Sequence, residues 1–181
     1  MKKNLMKSSY IGIGLSNPKS PTNVGGIMRA AGCYEADAVF FTGKRYLLAA
    51  SNGNAQYNTD TQGAGLAIPL SQIDDLRNAV ADDVSIVCVD LVEGACSLPE
   101  FQHPDKALYI FGPEDGTVSQ ALIDSSDAVV YMPTKGCMNL AASVNVLLYD
   151  RTAKMAHFDK GDALIRQSRD TNNRVRVKIP S

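Results

Sequence analysis

The chain alternates short apolar runs with stretches of helical pattern, and that alternation leaves few architectures open. Residues 10–15 ("YIGIGL"), 37–42 ("DAVFFT"), 84–91 ("VSIVCVDL"), 107–111 ("ALYIF") and 128–132 ("AVVYM") each read as a strand. Between them, residues 23–33 ("NVGGIMRAAGC"), the amphipathic stretch 71–80 capped by Ser71, residues 118–125, and residues 139 to about 158 read as helices. Strands that are apolar throughout, rather than alternating, are buried on both faces. With helices separating them, they predict an α/β fold built on a parallel sheet covered on both sides. Residues 49–65 ("AASNGNAQYNTDTQGAG") fit neither pattern and read as a long functional or mobile loop. Beyond Lys160, turn residues and the alternating charge of "NNRVRVKIP" suit a tail that orders only when something holds it.

With 181 residues, 45% hydrophobic and 20% charged, the chain is long enough for one substantial core and short for two. The reading is therefore one domain over residues 1–181, with a core at about 10–158 and a basic tail over 159–181. Cys33, Cys88, Cys96 and Cys137 form no C-x-x-C pair, and only His103 and His157 are available to join them. That argues against a metal site or a disulfide framework, and for reduced, buried thiols in a cytoplasmic protein. No run approaches the roughly 18 apolar residues of a membrane span. The opening "MKKNLMKSSYIGIGLSNP" is too glycine-broken for a signal peptide. A net charge of −1 hides an asymmetry: residues 74–127 hold twelve acidic residues against two basic, and residues 151–181 hold eight basic against three acidic. A basic end of this kind suits a polyanion or is simply solvated, and charge alone favours the solvated tail.

In an open parallel sheet, ligands bind beyond the carboxyl ends of the strands. Three loops there carry unusual residues. In "SNPKSPTNVGGIMR", Asn23 opens a helix, Gly25 and Gly26 allow close backbone approach, and Arg29 follows six residues after Asn23. Alone it reads as a capped helix with a surface arginine, and "GIGLSN" lacks the spacing of a dinucleotide fingerprint. In "FGPEDGTVSQALI", Gly112, Pro113 and Gly116 build a tight turn that sets Glu114 at the end of a buried strand. There Glu114 can pair with a neighbouring arginine, accept hydrogen bonds from a ligand, or with Asp115 favour the positive end of the next helix. The third stretch, "MPTKGCMNLAASVN", offers Pro133, Gly136 and the backbone around Cys137, with Asn139 as a helix cap.

Taken together and in this order, the loops resemble the three motifs of the SpoU/TrmH branch of the SPOUT RNA methyltransferase superfamily. Its first motif, N-x-x-x-x-x-R, reads "NVGGIMR" here; its second resembles "FGPE" followed by small or polar residues. The third, I-P, a glycine-containing loop and S-L-N-V or S-M-N-L, corresponds to "MPTKGCMNLAAS". The resemblance covers about residues 10–158. Two positions depart from the pattern: Cys137 replaces the serine of the third motif, and Thr117 stands where a glycine usually closes the second.

The resemblance implies a parallel-sheet SPOUT fold with a C-terminal trefoil knot, S-adenosylmethionine as cofactor, a homodimer, and methyl transfer to a ribose 2′-hydroxyl of RNA. It implies four catalytic residues, Arg29, Asn23, Glu114 and Asn139. Arg29 would stabilise the developing alkoxide, Glu114 would orient Arg29, and the two asparagines would fix ribose and phosphate. It implies a cofactor site of Gly112, Met132, Cys137 and Met138 with Asp90 or Leu91 at the end of the third strand run. RNA needs a positive surface; Lys19, Lys44, Arg45 and Lys135 would supply it, the basic tail would add to it, and the acidic middle segment would face away. Similarity to compact members that modify the wobble ribose of tRNA favours tRNA over ribosomal RNA. Two other readings stand beside this one. One is methylation of a base; the other is an RNA-binding module without catalysis, suggested by Cys137 and Thr117. A flavin- or nucleotide-binding reading fails because no phosphate-cradling glycine loop follows any strand.

Overall fold

The apolar runs pair side by side into one parallel sheet. The computed structural model describes residues 9–52, 67–155, 158–170 and 172–178. Along the chain come β1 (Tyr10–Leu15), α1 (Pro21–Cys33), β2 (Ala38–Phe41), α2 (Arg45–Asn52), β3 (Leu70–Gln72), β4 (Ser85–Val89) and β5 (Cys96–Ser97). Then follow β6 (Lys106–Phe111), α3 (Gln120–Asp124), β7 (Ala128–Tyr131), α4 (Leu140–Lys154) and α5 (Asp162–Ser168). The seven strands lie in the order β3-β2-β1-β6-β4-β7-β5, and every pairing is parallel.

Strand alternation sorts the core onto two faces. Ile13, Leu15, Val39, Phe41, Val87, Val89, Tyr109, Phe111 and Val130 point to one face, where they meet Val24 and Ile27 of α1 and Val144, Leu147 and Leu148 of α4. Cys88, Leu108 and Ile110 point to the other, beneath Leu76, Val118 and Leu122. The first face is covered by the two longest helices. The second is covered by α3 and a single 3-10 turn at Leu76–Asn78. Helices α1 and α4 pack so closely that a Cβ on Gly26 would lie 3.1 Å from the Ala141 Cβ. Glycine at that position sets the distance between the first and third loops.

Several elements differ from the sequence reading. Helix α1 begins at Pro21, before Asn23, because Ser20 caps it and proline suits the first helical position. The Ser20 Oγ accepts from the Asn23 backbone N at 3.3 Å, so Asn23 sits in the first turn with its side chain available. Residues 71–80 do not form a helix. Leu70–Gln72 instead extends the sheet as edge strand β3, with Ile73 N donating to Phe41 O, and Asp75 caps the 3-10 turn. Leu76 is the buried residue of that turn, and so short a stripe of burial cannot hold a longer helix. The loop expected over 49–65 starts later, since α2 runs to Asn52; residues 53–66 lie outside the described residues. In the tail, Asp162–Ser168 forms a helix with no buried residue. The thiols are not uniformly buried: Cys88 is, whereas Cys33, Cys96 and Cys137 are exposed at a helix end, an edge strand and a loop. Burial pushes the Cys88 thiol up to about 11. No helix among the described residues is long and apolar enough to cross a membrane.

Candidate active site

Strands β4, β6 and β7 end together, and beyond their carboxyl ends opens a cavity of about 430 Å³. Its floor is Val89, Phe111 and Met132, the residues at or just past those three strand ends. Asp90 and Leu91 continue β4, Gly112 continues β6, and Cys137 and Met138 come from the loop before α4; all line the cavity. So do Asn23, Glu114 and Asn139. Residues nominated from three separate loops therefore share one space.

A continuous run of hydrogen bonds joins those loops. Glu114 accepts from Lys19 N at 2.8 Å, from Ser20 N at 3.0 Å and from Asn23 Nδ2 at 2.9 Å. The Asn23 Oδ1 accepts from Asn139 Nδ2 at 2.9 Å, and the Asn139 Oδ1 accepts from Ala141 N and Ala142 N at 2.9 and 3.2 Å. Each asparagine thus uses both ends of its amide, a donor toward one neighbour and an acceptor toward the other. Burial raises the Glu114 carboxyl, but the donors Asn23, Lys19 and Ser20 outweigh it and hold the group below its usual value. Glu114 is an anion fixed at the mouth of the cavity.

A second carboxylate shapes the wall. Asp90 Oδ2 accepts from Val118 N at 2.7 Å and Asp90 Oδ1 from Leu91 N at 2.8 Å. The bond to Val118 folds the 113–118 loop back across the end of β6. It does so only because position 112 is glycine: a Cβ there would meet Val118 N at 2.9 Å and the Thr117 carbonyl carbon at 3.0 Å. Asp90, nominated as a cofactor contact, is also a brace for the loop that carries Glu114.

Two expectations change. Arg29 is exposed on α1 and is not among the residues lining the cavity. The Glu114 oxygens expected to orient it accept instead from Asn23 and from the amides of the β1–α1 loop. The acidic middle segment does not wholly face away, because Glu114 and Asp115 stand at the site itself. Asp115 takes a bidentate grip from Arg45, at 2.9 and 2.7 Å, and lies 3.8 Å from Lys19 Nζ. Lys44, between β2 and α2, and Lys135, between β7 and α4, are exposed.

The sequence reading missed Thr134 and Ser143, which also line the cavity. Thr134 Oγ1 donates to Gly136 O at 2.7 Å and closes the loop before Cys137. Ser143 had a legible signal, since four residues beyond the cap Asn139 is one helical turn on the same face. The backbone donors of Lys19 and Ser20 had none, as any residue supplies an amide.

The sequence profile of the SpoU rRNA Methylase family matches residues 10–149. Curated protein sequences give no match. Among solved structures, an AdoMet-bound rRNA methyltransferase from Sinorhizobium meliloti is similar at 19% identity and a TM-score of 0.67, over 83% of this chain and 58% of that one. A TrmH/SpoU tRNA modifying enzyme from A. aeolicus is similar at 18% identity and a TM-score of 0.62, over 80% of this chain and 74% of that one. A third, described in terms of 2-OH methylation of C/U34 on tRNA, has 18% identity and a TM-score of 0.65 over 80% of this chain and 95% of that one. These likenesses establish the fold, and this chain spans under two thirds of the Sinorhizobium protein's length.

Proposed function

The chain belongs to the SpoU rRNA methylase family, and we propose on that footing that it methylates a ribose 2′-hydroxyl of RNA with S-adenosylmethionine as donor. The observation that carries the proposal is the hydrogen-bonded run from Glu114 through Asn23 to Asn139, one residue from each of three loops at the mouth of a single strand-end cavity. A structural neighbour with AdoMet bound supports the donor, and one described by 2-OH methylation of tRNA supports the acceptor group.

The cavity fits that donor. Its volume of about 430 Å³ lies in the range of small-molecule sites. Leu91, Met132, Met138 and Leu140 give apolar walls, and the ionised Glu114 places negative charge in the same space, which complements a sulfonium. Gly112, Met132, Cys137 and Met138, with Asp90 and Leu91 at the end of β4, would hold it. S-adenosylmethionine, when bound, supplies a methyl carbon already activated by positive sulfur.

The protein is then left with holding the acceptor hydroxyl in line and managing its proton. A guanidinium stays protonated, so Arg29 stabilises the O2′ alkoxide as its proton is lost to water. Asn23, Glu114 and Asn139 are positioning residues. They lock α1, which carries Arg29, against α4 and the cavity wall. The acceptor RNA we favour is tRNA, following the neighbour of which the chain covers 95%. The family reading also proposes a knotted C-terminal segment and a homodimer, for which exposed Val146 and Tyr149 on α4 offer apolar surface.

Incubation with labelled donor and total RNA, followed by alkaline digestion, tests the reading. A 2′-O-methyl group blocks cleavage at the adjacent phosphate, so label is expected in resistant dinucleotides. Label recovered as a methylated base overturns ribose chemistry in favour of base methylation. Donor binding without any transfer makes the chain a binding module. Arg29→Ala is expected to abolish transfer with donor binding near normal, and loss of both together would remove Arg29 from its assigned role.

A further inference from the structure

Two neighbouring carboxylates in the 113–117 loop are held in opposite ways. Glu114 is fixed by two backbone amides and Asn23, a set of partners that cannot leave without unmaking the loops. Among the described residues, the side chains that hold Asp115 come from α2 and the β1–α1 loop, at the rim of the cavity. Arg45, the first residue of α2, gives both terminal nitrogens to it, and Lys19 approaches Oδ2 from the β1–α1 loop at 3.8 Å. All three side chains reach water, Lys19 at 64%, Asp115 at 52% and Arg45 at 31% exposure.

A guanidinium fork accepts a carboxylate and a phosphate in the same geometry, through two parallel N–H···O bonds. The Lys19 ammonium, near the Oδ2 that Arg45 also holds, adds a second cation to this cradle for one anionic group. Resting on the RNA reading above, we propose that Asp115 is an internal stand-in for an RNA backbone phosphate, displaced from Arg45 and Lys19 when RNA docks beside the cavity. Its carboxylate is tethered to the chain and so competes at a high effective concentration. Free phosphate or a single nucleotide, with one contact to offer, does not dislodge it. A polyanion does, because its other phosphates engage the exposed Lys44 and Lys135 at the same time. Asp115 thereby sets a threshold that favours long RNA over small anions at a site whose small-molecule ligand also carries charge. Exchange at this rim leaves the cavity wall in place, since Glu114 and Asp90 hold the loop independently.

The test is RNA binding by Asp115→Asn across a range of salt concentrations, with tRNA and ribosomal RNA as probes. Losing an exposed competitor pair is expected to tighten binding about two- to five-fold near physiological salt. The logarithmic salt slope is expected to stay near the wild-type value, because both proteins neutralise the same phosphate in the complex. Adding Arg45→Gln is expected to remove most of that gain. Inorganic phosphate is expected to compete with RNA in Asp115→Asn and not in the wild type. If Asp115 merely ties α2 to the loop, Asp115→Asn binds no tighter and its thermal midpoint falls; that result, or a slope steeper by about 0.7–0.9, the mark of a phosphate the wild type never engages, overturns the proposal. Asp115→Glu, which keeps the charge, separates the two causes should the amide variant fold poorly. A wild type that binds neither RNA overturns the functional reading itself, and the stand-in with it.

Discussion

Helix α4 is clamped by polar groups at both ends, and the two clamps differ in what surrounds them. At its N-terminus Asn139 joins Asn23 and Glu114 in an exposed chain at the rim of a cavity. At its C-terminus Arg151, 4% exposed, donates to Pro104 O, Asp105 O and Tyr109 Oη. Tyr109 Oη lies 2.7 Å from His103 Nδ1, and His103 Nε2 lies 2.9 Å from Asp150 Oδ2, which also pairs with Lys154. Arginine can only donate, so Tyr109 accepts from it and gives its own proton to Nδ1, leaving Nε2–H to donate to Asp150. The far clamp is thus sealed, with Arg151 Nε its one buried polar atom lacking a partner among the described residues, and none of its members lines the cavity beyond β4, β6 and β7. The near clamp is open and adjoins space for a ligand. One network borders a cavity and the other closes on itself, and that difference separates the candidate site from a structural anchor.

The largest expected effect breaks the sealed clamp. Arg151→Ala would leave Pro104 O without this donor and take one of two partners from Asp105 O and Tyr109 Oη, a loss of about 2–4 kcal/mol of folding stability by urea denaturation. The surviving folded fraction is expected to methylate RNA at the wild-type rate per molecule. A tenfold fall in that specific rate would mean that the two clamps act through α4 as one device, and the distinction between them would collapse.

A smaller effect is expected from the open clamp, and on the other observable. Asn23→Ala cuts the chain between Glu114 and Asn139 while removing no buried group. Transfer is expected to fall on the order of tenfold to a hundredfold through misplacement of the loops. Stability is expected to change by less than about 1 kcal/mol, as for other exposed polar substitutions. A thermal midpoint lowered as far as that of Arg151→Ala would show the near clamp to be an anchor too.

The difference between the clamps also tracks what was legible in the sequence. Asn23, Glu114 and Asn139 were found because short motifs at strand ends carry them, and the structure places all three on one cavity. Their bonding to one another was not legible, because contacts between residues more than 90 positions apart depend on how the loops close. The sheet was read from five apolar runs; β3 and β5 escaped because Leu70–Gln72 and Cys96–Ser97 are too short and too polar to show a period. Helix α1 starts two residues before Asn23 because the Ser20–Pro21 pair is the stronger start signal. The sealed clamp left no trace, since a lone histidine, tyrosine and arginine carry no spacing rule. The knot came only from the family resemblance, as strand periodicity says nothing about threading.

The subtlest expected difference lies in acid response. Burial pulls the His103 imidazole below its usual value and the nearby Arg151 and Lys154 push the same way, while the bond to Asp150 opposes them. Tyr109 from β6 and the Phe101 ring, 5.1 Å away edge-on, complete its surroundings. A depressed histidine binds its proton more readily in the unfolded chain. The sealed clamp therefore contributes fully above about pH 6.5 and weakens as pH falls below that, levelling off once His103 itself protonates. Protonation would also place a second donor, Nδ1–H, against Tyr109 Oη, which otherwise donates its own hydrogen to Nδ1. Glu114 is likewise depressed, but from a carboxyl range, so the open clamp persists to below about pH 4.5. On lowering pH from 7 to 5.5, the thermal midpoint is expected to fall, while amide exchange at Lys19 and Ser20, the donors to Glu114, stays protected after correction for intrinsic rates. His103→Gln is expected to start less stable at pH 7 and to show a flatter decline. Loss of protection at Lys19 and Ser20 in the same pH range as the fall in midpoint would show that the clamps titrate together, with His103 governing both ends of α4.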